Sequence, residues 1–352
     1  MFKRLVIVSF LSLLAITVVS SSALSKIAEI STHRELAARH LVIDLHCDTV
    51  YRFYRLGNKI SPFTGNKLHV TLGGLKRAGA RGQVFAAWVP PGKGYNHANH
   101  LIDLFEKMLE KHSDDMAFAG SYADLKKNLA DGKISAFLGI EGGKAIDEDL
   151  GKIDHFYKRG VRYMTITWSH NNKIADSSGS SKKRYGGLSD FGEKVVRKMN
   201  DIGMIVDVSH ASDDAVRHVL RTTADPVIAS HSNCHSVWRH PRNLKDDLIE
   251  GICGGGGVIG VNYYSKFLGP KNKATVRDVA DHIDYLVKVG GIDCAALGSD
   301  YDGMTRPARG LENIGKLENL TDELFRRGYK AEDIVKIYGM NFVRVLYNVV
   351  GK

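Results

Sequence analysis

The chain has 352 residues, 43% hydrophobic and 25% charged, an ordinary globular balance whose length suits one α/β barrel with insertions, or two domains. Four cysteines (Cys47, Cys234, Cys253, Cys294), none in a C-x-x-C pair, exclude a disulfide scaffold. The formal charge of +10 is scattered, without a basic stripe interleaved with aromatics, so no nucleic-acid partner is expected.

The first elements are targeting signals. Lys3 and Arg4 precede a mostly apolar run from Leu5 to Val19, and Ala23-Leu24-Ser25 offers small residues for cleavage. This predicts a signal peptide over 1–25 and one mature domain over 26–352. The apolar run is short for a ~30 Å hydrocarbon core, and the C-terminal end is too short and polar for a lipid-anchor signal. Export to a periplasm or the exterior is expected, with no stable membrane anchor after cleavage.

A short amphipathic helix is predicted over Ile27–Arg39. Eight apolar runs with strand character follow: Leu41–Leu45, Gln83–Val89, Ile134–Ile140, Arg162–Thr167, Met204–Val208, Pro226–Ser230, Val258–Tyr263 and Cys294–Gly298. Most are apolar on both faces, as parallel strands covered by helices are. Helical periodicity appears at Ser189–Ile202, Ser212–Leu220 and Thr275–Val289, with two more segments near Leu320–Arg327 and Ala331–Leu346. Between them, Ser177–Gly187, with Lys182-Lys183-Arg184, reads as a solvated loop. The alternation predicts a (β/α)8 TIM-like barrel with inserted loops and C-terminal helices. A doubly wound open sheet is the alternative.

Barrel chemistry sits at the C-terminal strand ends. The first run ends in His46 and Asp48, two residues apart and therefore on one face, with Cys47 turned away. Further runs end in Glu141 before two glycines, Asp207 with His210, His231, and Asp300 with Asp302. Taken singly, each has a structural explanation as a cap, a turn residue or a core histidine. Three His and several acids delivered to one rim point instead to a catalytic site for Zn or another divalent first-row ion. With two ions a carboxylate must bridge them, and a hydroxide between them is a nucleophile at neutral pH, which makes hydrolysis the natural reaction class.

Five ordered motifs carry a resemblance: Asp-Leu-His-Cys-Asp, Gly-Ile-Glu-Gly-Gly, Val-Asp-Val-Ser-His-Ala-Ser, Ser-His-Ser-Asn followed by Pro-Arg-Asn, and Gly-Ser-Asp-Tyr-Asp-Gly. From Leu41 onward the chain resembles the membrane (renal) dipeptidase family of binuclear zinc peptidases. The resemblance implies two Zn2+ per chain, one on His46 and Asp48 and one on His210 and His231, bridged by Glu141. It implies a dipeptide substrate, cleaved by a metal-bridging hydroxide, with D-residues allowed at the C-terminal position. Arg242 would grip the substrate carboxylate, with Arg239 as its rival. Asp300 would contact the substrate amine and shuttle a proton, and Asp302 would shape the turn. The family also implies a homodimer.

There are two departures. Where animal members carry a substrate-contacting His, this chain has Trp168, with His170 two residues later. Either His170 takes that role or Trp168 marks a changed pocket; His170 is the reading carried forward. The animal disulfide cysteines have no counterpart, since Trp238 and His170 stand near their positions, so the cysteines are expected to be free or differently paired. Two rivals remain: an amidohydrolase acting on N-acyl amino acids or cyclic amides, and a non-catalytic metal-binding protein.

Overall fold

The computed structural model describes residues 41–270 and 273–350. The expected signal peptide and the helix over Ile27–Arg39 lie outside the described residues. Among the described residues eleven strands form: β1 (Val42–Cys47), β2 (Ala80–Trp88), β3 (Met116–Phe118), β4 (Ile134–Glu141), β5 (Val161–Thr165), β6 (Ile205–Asp207), β7 (Ile228–Ala229), β8 (Asn233–Cys234), β9 (Asn243–Leu244), β10 (Val258–Val261) and β11 (Ala295–Leu297). All eight predicted runs are strands. They pair in parallel in the ring β1–β2–β4–β5–β6–β7–β10–β11, and the β2–β4 and β1–β11 pairings close it. The result is a closed (β/α)8 barrel, and the open-sheet alternative is excluded. β3 is an extra strand on the outer edge of β4, and β8 and β9 form a two-stranded ribbon above the barrel.

Several helices begin where the sequence provides caps. Ser189 and Ser212 accept hydrogen bonds from backbone N–H groups of the helices Asp190–Asp201 and Asp213–Thr222. Thr275 and Asp278 form a reciprocal capping box on Val276–Gly290.

Two apolar layers result. One packs the outer strand faces against the helices. The other fills the barrel: Ile43, Leu45, Val84, Phe137, Tyr163, Ile205, Ile228 and Val258 meet Phe342, Val345, Leu346 and Val349 of the last helix, Asn341–Val350, which closes the N-terminal end. Close contact sets one glycine there. A Cβ on Gly339 would lie 2.2 Å from the Leu41 carbonyl oxygen, so only glycine lets the tail reach the start of β1. With one end plugged, polar strand ends converge at the other.

Cys253 and Cys294 form a disulfide joining the helix Asp246–Gly254 to the start of β11, with a Cα–Cα separation of 5.3 Å. Cys47 and Cys234 are free and buried. Among the described residues no helix is long and apolar enough to cross a membrane.

Candidate metal centre

β1 contributes first. Leu45 packs in the barrel interior with Tyr163, and the next residue, His46, bonds to the Tyr163 hydroxyl through Nδ1 at 2.9 Å. Consecutive residues serve one side because the β1–β2 register shifts between Asp44 and Cys47, an irregularity of the kind that re-aims a side chain. The Tyr163 hydroxyl donates to the Leu45 carbonyl at 3.1 Å, so it accepts from His46, placing the proton on Nδ1 and the lone pair on Nε2. That Nε2 is buried without a hydrogen-bond partner, 3.6 Å from Asp48 Oδ2 and 3.6 Å from Glu141 Oε2. Asp48 Oδ1 is equally orphaned.

The second cluster shares Glu141. Its Oε1 lies 2.9 Å from His210 Nε2 and 3.5 Å from His231 Nε2, and the two imidazole nitrogens are 2.9 Å apart. His231 is aimed by a chain of hydrogen bonds. Ser230 Oγ donates to Asp207 Oδ2 at 2.6 Å and accepts from His231 Nδ1 at 2.8 Å, again leaving Nε2 as the free lone pair. Thr165 Oγ1 also donates to Asp207 Oδ2, at 2.6 Å. His210 sits in the left-handed region (φ 67°), uncommon for a residue with a Cβ, and its carbonyl accepts from Ser178 N at 2.9 Å and Ser177 Oγ at 3.2 Å.

These groups fit divalent ions. Ligand atoms 2.9–3.6 Å apart are close to the edges of a tetrahedron around an ion at ~2.1 Å. His46, Asp48 and Glu141 form one three-ligand group, and Glu141, His210 and His231 another. Burial, with the Arg242 charge nearby, holds His210 and His231 well below the ordinary imidazole range, so both are neutral with lone pairs to offer. Burial and the Asp48 charge push Glu141 up to about 8, and burial and Asp48 push Asp300 up to about 7. Carboxylates crowded in this way need cations.

Further polar groups and an open cavity surround the cage. Asp300, left-handed at φ 64°, accepts from Asn262 Nδ2 at 2.9 Å. Arg242 is buried directly before β9. Its Nη2 donates to the His231 carbonyl at 2.8 Å and Nη1 to Ser232 Oγ at 3.3 Å, while Nε is unpartnered. No carboxylate among the described residues lies within ion-pair distance of it. Arg239, by contrast, is exposed. Asp302 holds the turn: it accepts from Thr49 Oγ1 at 2.7 Å and from His69 N at 2.8 Å. A cavity of about 370 Å3 opens over the cage, walled by Tyr51, Trp88, Trp168, Tyr264, Phe267 and Met304 among others.

One expected residue is not brought in. His170 is exposed, while Trp168 lines the cavity, its ring 6.1 Å from that of His210 and 5.8 Å from that of His170. The loop is pinned in this arrangement. Asn172 bonds to the Ile166 carbonyl and to the Ile174 and Ala175 N–H groups, and the Ser177 hydroxyl donates to the Trp168 carbonyl. The changed-pocket alternative describes this wall. Sequence reasoning gave no role to Tyr163, Ser230 or Asn262. Asp207 and Ser230 were visible at strand ends; Tyr163, mid-strand, carried no signal.

The family described as Membrane dipeptidase (Peptidase family M19) matches residues 30–350. The dipeptidase verJ of Clonostachys rogersoniana is 37% identical over 248 residues, 70% of this chain and 64% of that protein, so the match spans less than two thirds of the relative's own length. A solved structure described as the dipeptidase AC, a metallopeptidase of family M19, aligns at a TM-score of 0.83 with 25% identity, over 89% of this chain and 99% of that one. The fold also matches a metallopeptidase from Rhodobacter sphaeroides liganded with a phosphinate mimic of L-Ala-D-Ala (TM-score 0.83, 24% identity, 88% and 99% covered).

Proposed function

The chain belongs to the membrane dipeptidase family, and from that premise we propose that it is an exported, zinc-dependent dipeptidase with two ions per chain. The observation that carries the reading is Glu141. One buried carboxylate offers an oxygen to each of two ligand groups, the arrangement a bridged pair of ions requires. His46, Asp48 and Glu141 would hold one ion; Glu141, His210 and His231 would hold the other. When bound, the ions supply Lewis acidity toward the scissile carbonyl and lower the pKa of water in the site.

The remaining steps belong to side chains. Arg242, a buried fork without a carboxylate of its own, accepts the substrate's α-carboxylate. Asp300, oriented by Asn262, faces the α-amine and passes a proton at its carboxylate to the leaving nitrogen; a group near neutrality suits that transfer. The aromatic walls exclude water. Trp168, rather than His170, lines the cavity wall. The mature domain would begin near Lys26, and the Cys253–Cys294 bond supports an oxidising compartment.

Turnover of free dipeptides against their N-acetylated analogues tests the reading on metal-loaded protein. Free dipeptides are expected to be preferred, because a blocked amine loses Asp300. Equal or faster cleavage of the blocked compounds would favour the N-acyl amidohydrolase instead.

A further inference from the structure

The cavity mouth carries charge that no internal partner takes. Arg52 and Arg55 lie three residues apart on the helix Thr49–Arg55, which follows Asp48 directly; both are exposed and both line the cavity. Among the described residues neither guanidinium has a carboxylate within ion-pair distance. The acids of the same wall are engaged elsewhere: Asp48 and Glu141 face the cage, Asp300 is bonded to Asn262, and Asp302 to Thr49 and His69.

The arginines continue an aromatic wall. Arg55 Nη1 donates to the Tyr51 hydroxyl at 3.5 Å, Tyr51 meets Trp88 edge-on at 4.5 Å, and Trp88 meets Trp168 at 4.9 Å. A side chain lying along this wall would end at the two guanidinium groups. Strand order identifies which one. Asp300 follows β11, the neighbour of β1, so the amine end of a dipeptide sits on the side of Arg52 and Arg55. Arg242 is bonded to His231 beyond β7, three strands round the ring from β1.

We propose that Arg52 and Arg55 form an anion subsite selecting dipeptides whose amino-terminal residue carries a carboxylate, that is aspartyl and glutamyl dipeptides. This rests on the dipeptidase reading above. Each exposed pair is a modest interaction screened by salt, but two planar forks on one carboxylate together give a preference of ~5–10-fold.

The test compares kcat/KM for Glu-Ala, Gln-Ala and Lys-Ala on the metal-loaded enzyme, in the unaltered chain, in Arg52→Gln/Arg55→Gln and in Arg52→Glu/Arg55→Glu. The expected Glu-Ala to Gln-Ala ratio is ~5–10, expressed mainly in KM and reduced at high salt. It falls toward one in the neutral double variant, and the charge-reversed variant favours Lys-Ala, a gain that misfolding cannot produce. A ratio near one in the unaltered enzyme, or one that survives the neutral variant, overturns the subsite while leaving the dipeptidase reading intact. No hydrolysis of any of the three by the loaded enzyme overturns both.

Discussion

The two halves of the cage are built differently. His46 and Asp48 come from the end of one strand, two residues apart, and one distant group, the Tyr163 hydroxyl, fixes the His46 ring. His210 and His231 come from separate strands, and each needs help from afar: a left-handed residue gripped by Ser177 and Ser178, and an imidazole aimed through Ser230 and Asp207. The β1 half is drawn from one strand end and the other half is gathered from two. Disturbing one should therefore weaken its own ion most, although Glu141 and the contact between the His46 and His231 rings (centroids 3.9 Å apart) join the halves.

The largest expected effect breaks the comparison altogether. Glu141→Gln removes the shared charge, and kcat should fall by at least ~10³-fold with metal content below two ions; elemental analysis showing two ions retained would contradict a bridging role. Gly303→Ala strikes the β1 half. A Cβ there would lie 2.0 Å from Asp48 Oδ2 and 2.6 Å from Asp300 Oδ1, so one ion should be lost and kcat should fall by ~10²-fold or more. Ser230→Ala strikes the other half, and affinity for one ion should drop ~10–100-fold while the other is held normally. Equal weakening of both ions in either variant would show that the halves are not separable.

A milder probe is pH. In the metal-free fold Glu141 and Asp300 keep their protons up to about 8 and about 7, whereas the unfolded chain releases them near 4.5 and 3.8. The fold then binds more protons than the unfolded chain, so its stability falls as pH rises through that window. The lowered pKa values of His210 and His231 act oppositely, but that effect is complete by about their ordinary value of 6.5. Chelation should therefore cost more Tm at pH 8 than at pH 6.5, and an equal loss at both would count against the buried carboxyl cluster. The smallest effect is expected from His170→Ala, which should change kcat/KM by no more than ~2-fold because the side chain is exposed. A tenfold loss would return that histidine to the substrate.

Much of this was legible in the sequence for a physical reason. A strand that ends in a metal ligand announces both the strand and the ligand, so all eight runs and His46, Asp48, Glu141, His210, His231 and Asp300 could be read and are found around one mouth. What could not be read depends on contacts distant in sequence. Tyr163 reaches His46 across 117 positions, and nothing in Val-Arg-Tyr-Met-Thr marks it. The choice between Trp168 and His170 is made by a loop that Asn172 and Ser177 fasten, an outcome spacing alone does not determine. The Cys253–Cys294 pairing likewise follows from the helix before β10 ending beside the start of β11. That Arg242 is buried and Arg239 exposed is likewise a property of the fold around the β8–β9 ribbon and not of spacing.

The most direct test of a Glu141-bridged pair of ions is titration of metal-free protein with zinc while following hydrolysis of a free dipeptide. Activity that rises to a plateau at two ions per chain, and stays near background in Glu141→Gln at the same loading, is the predicted result. Full activity at one ion or none, or no dipeptide cleavage at saturating zinc, would contradict it.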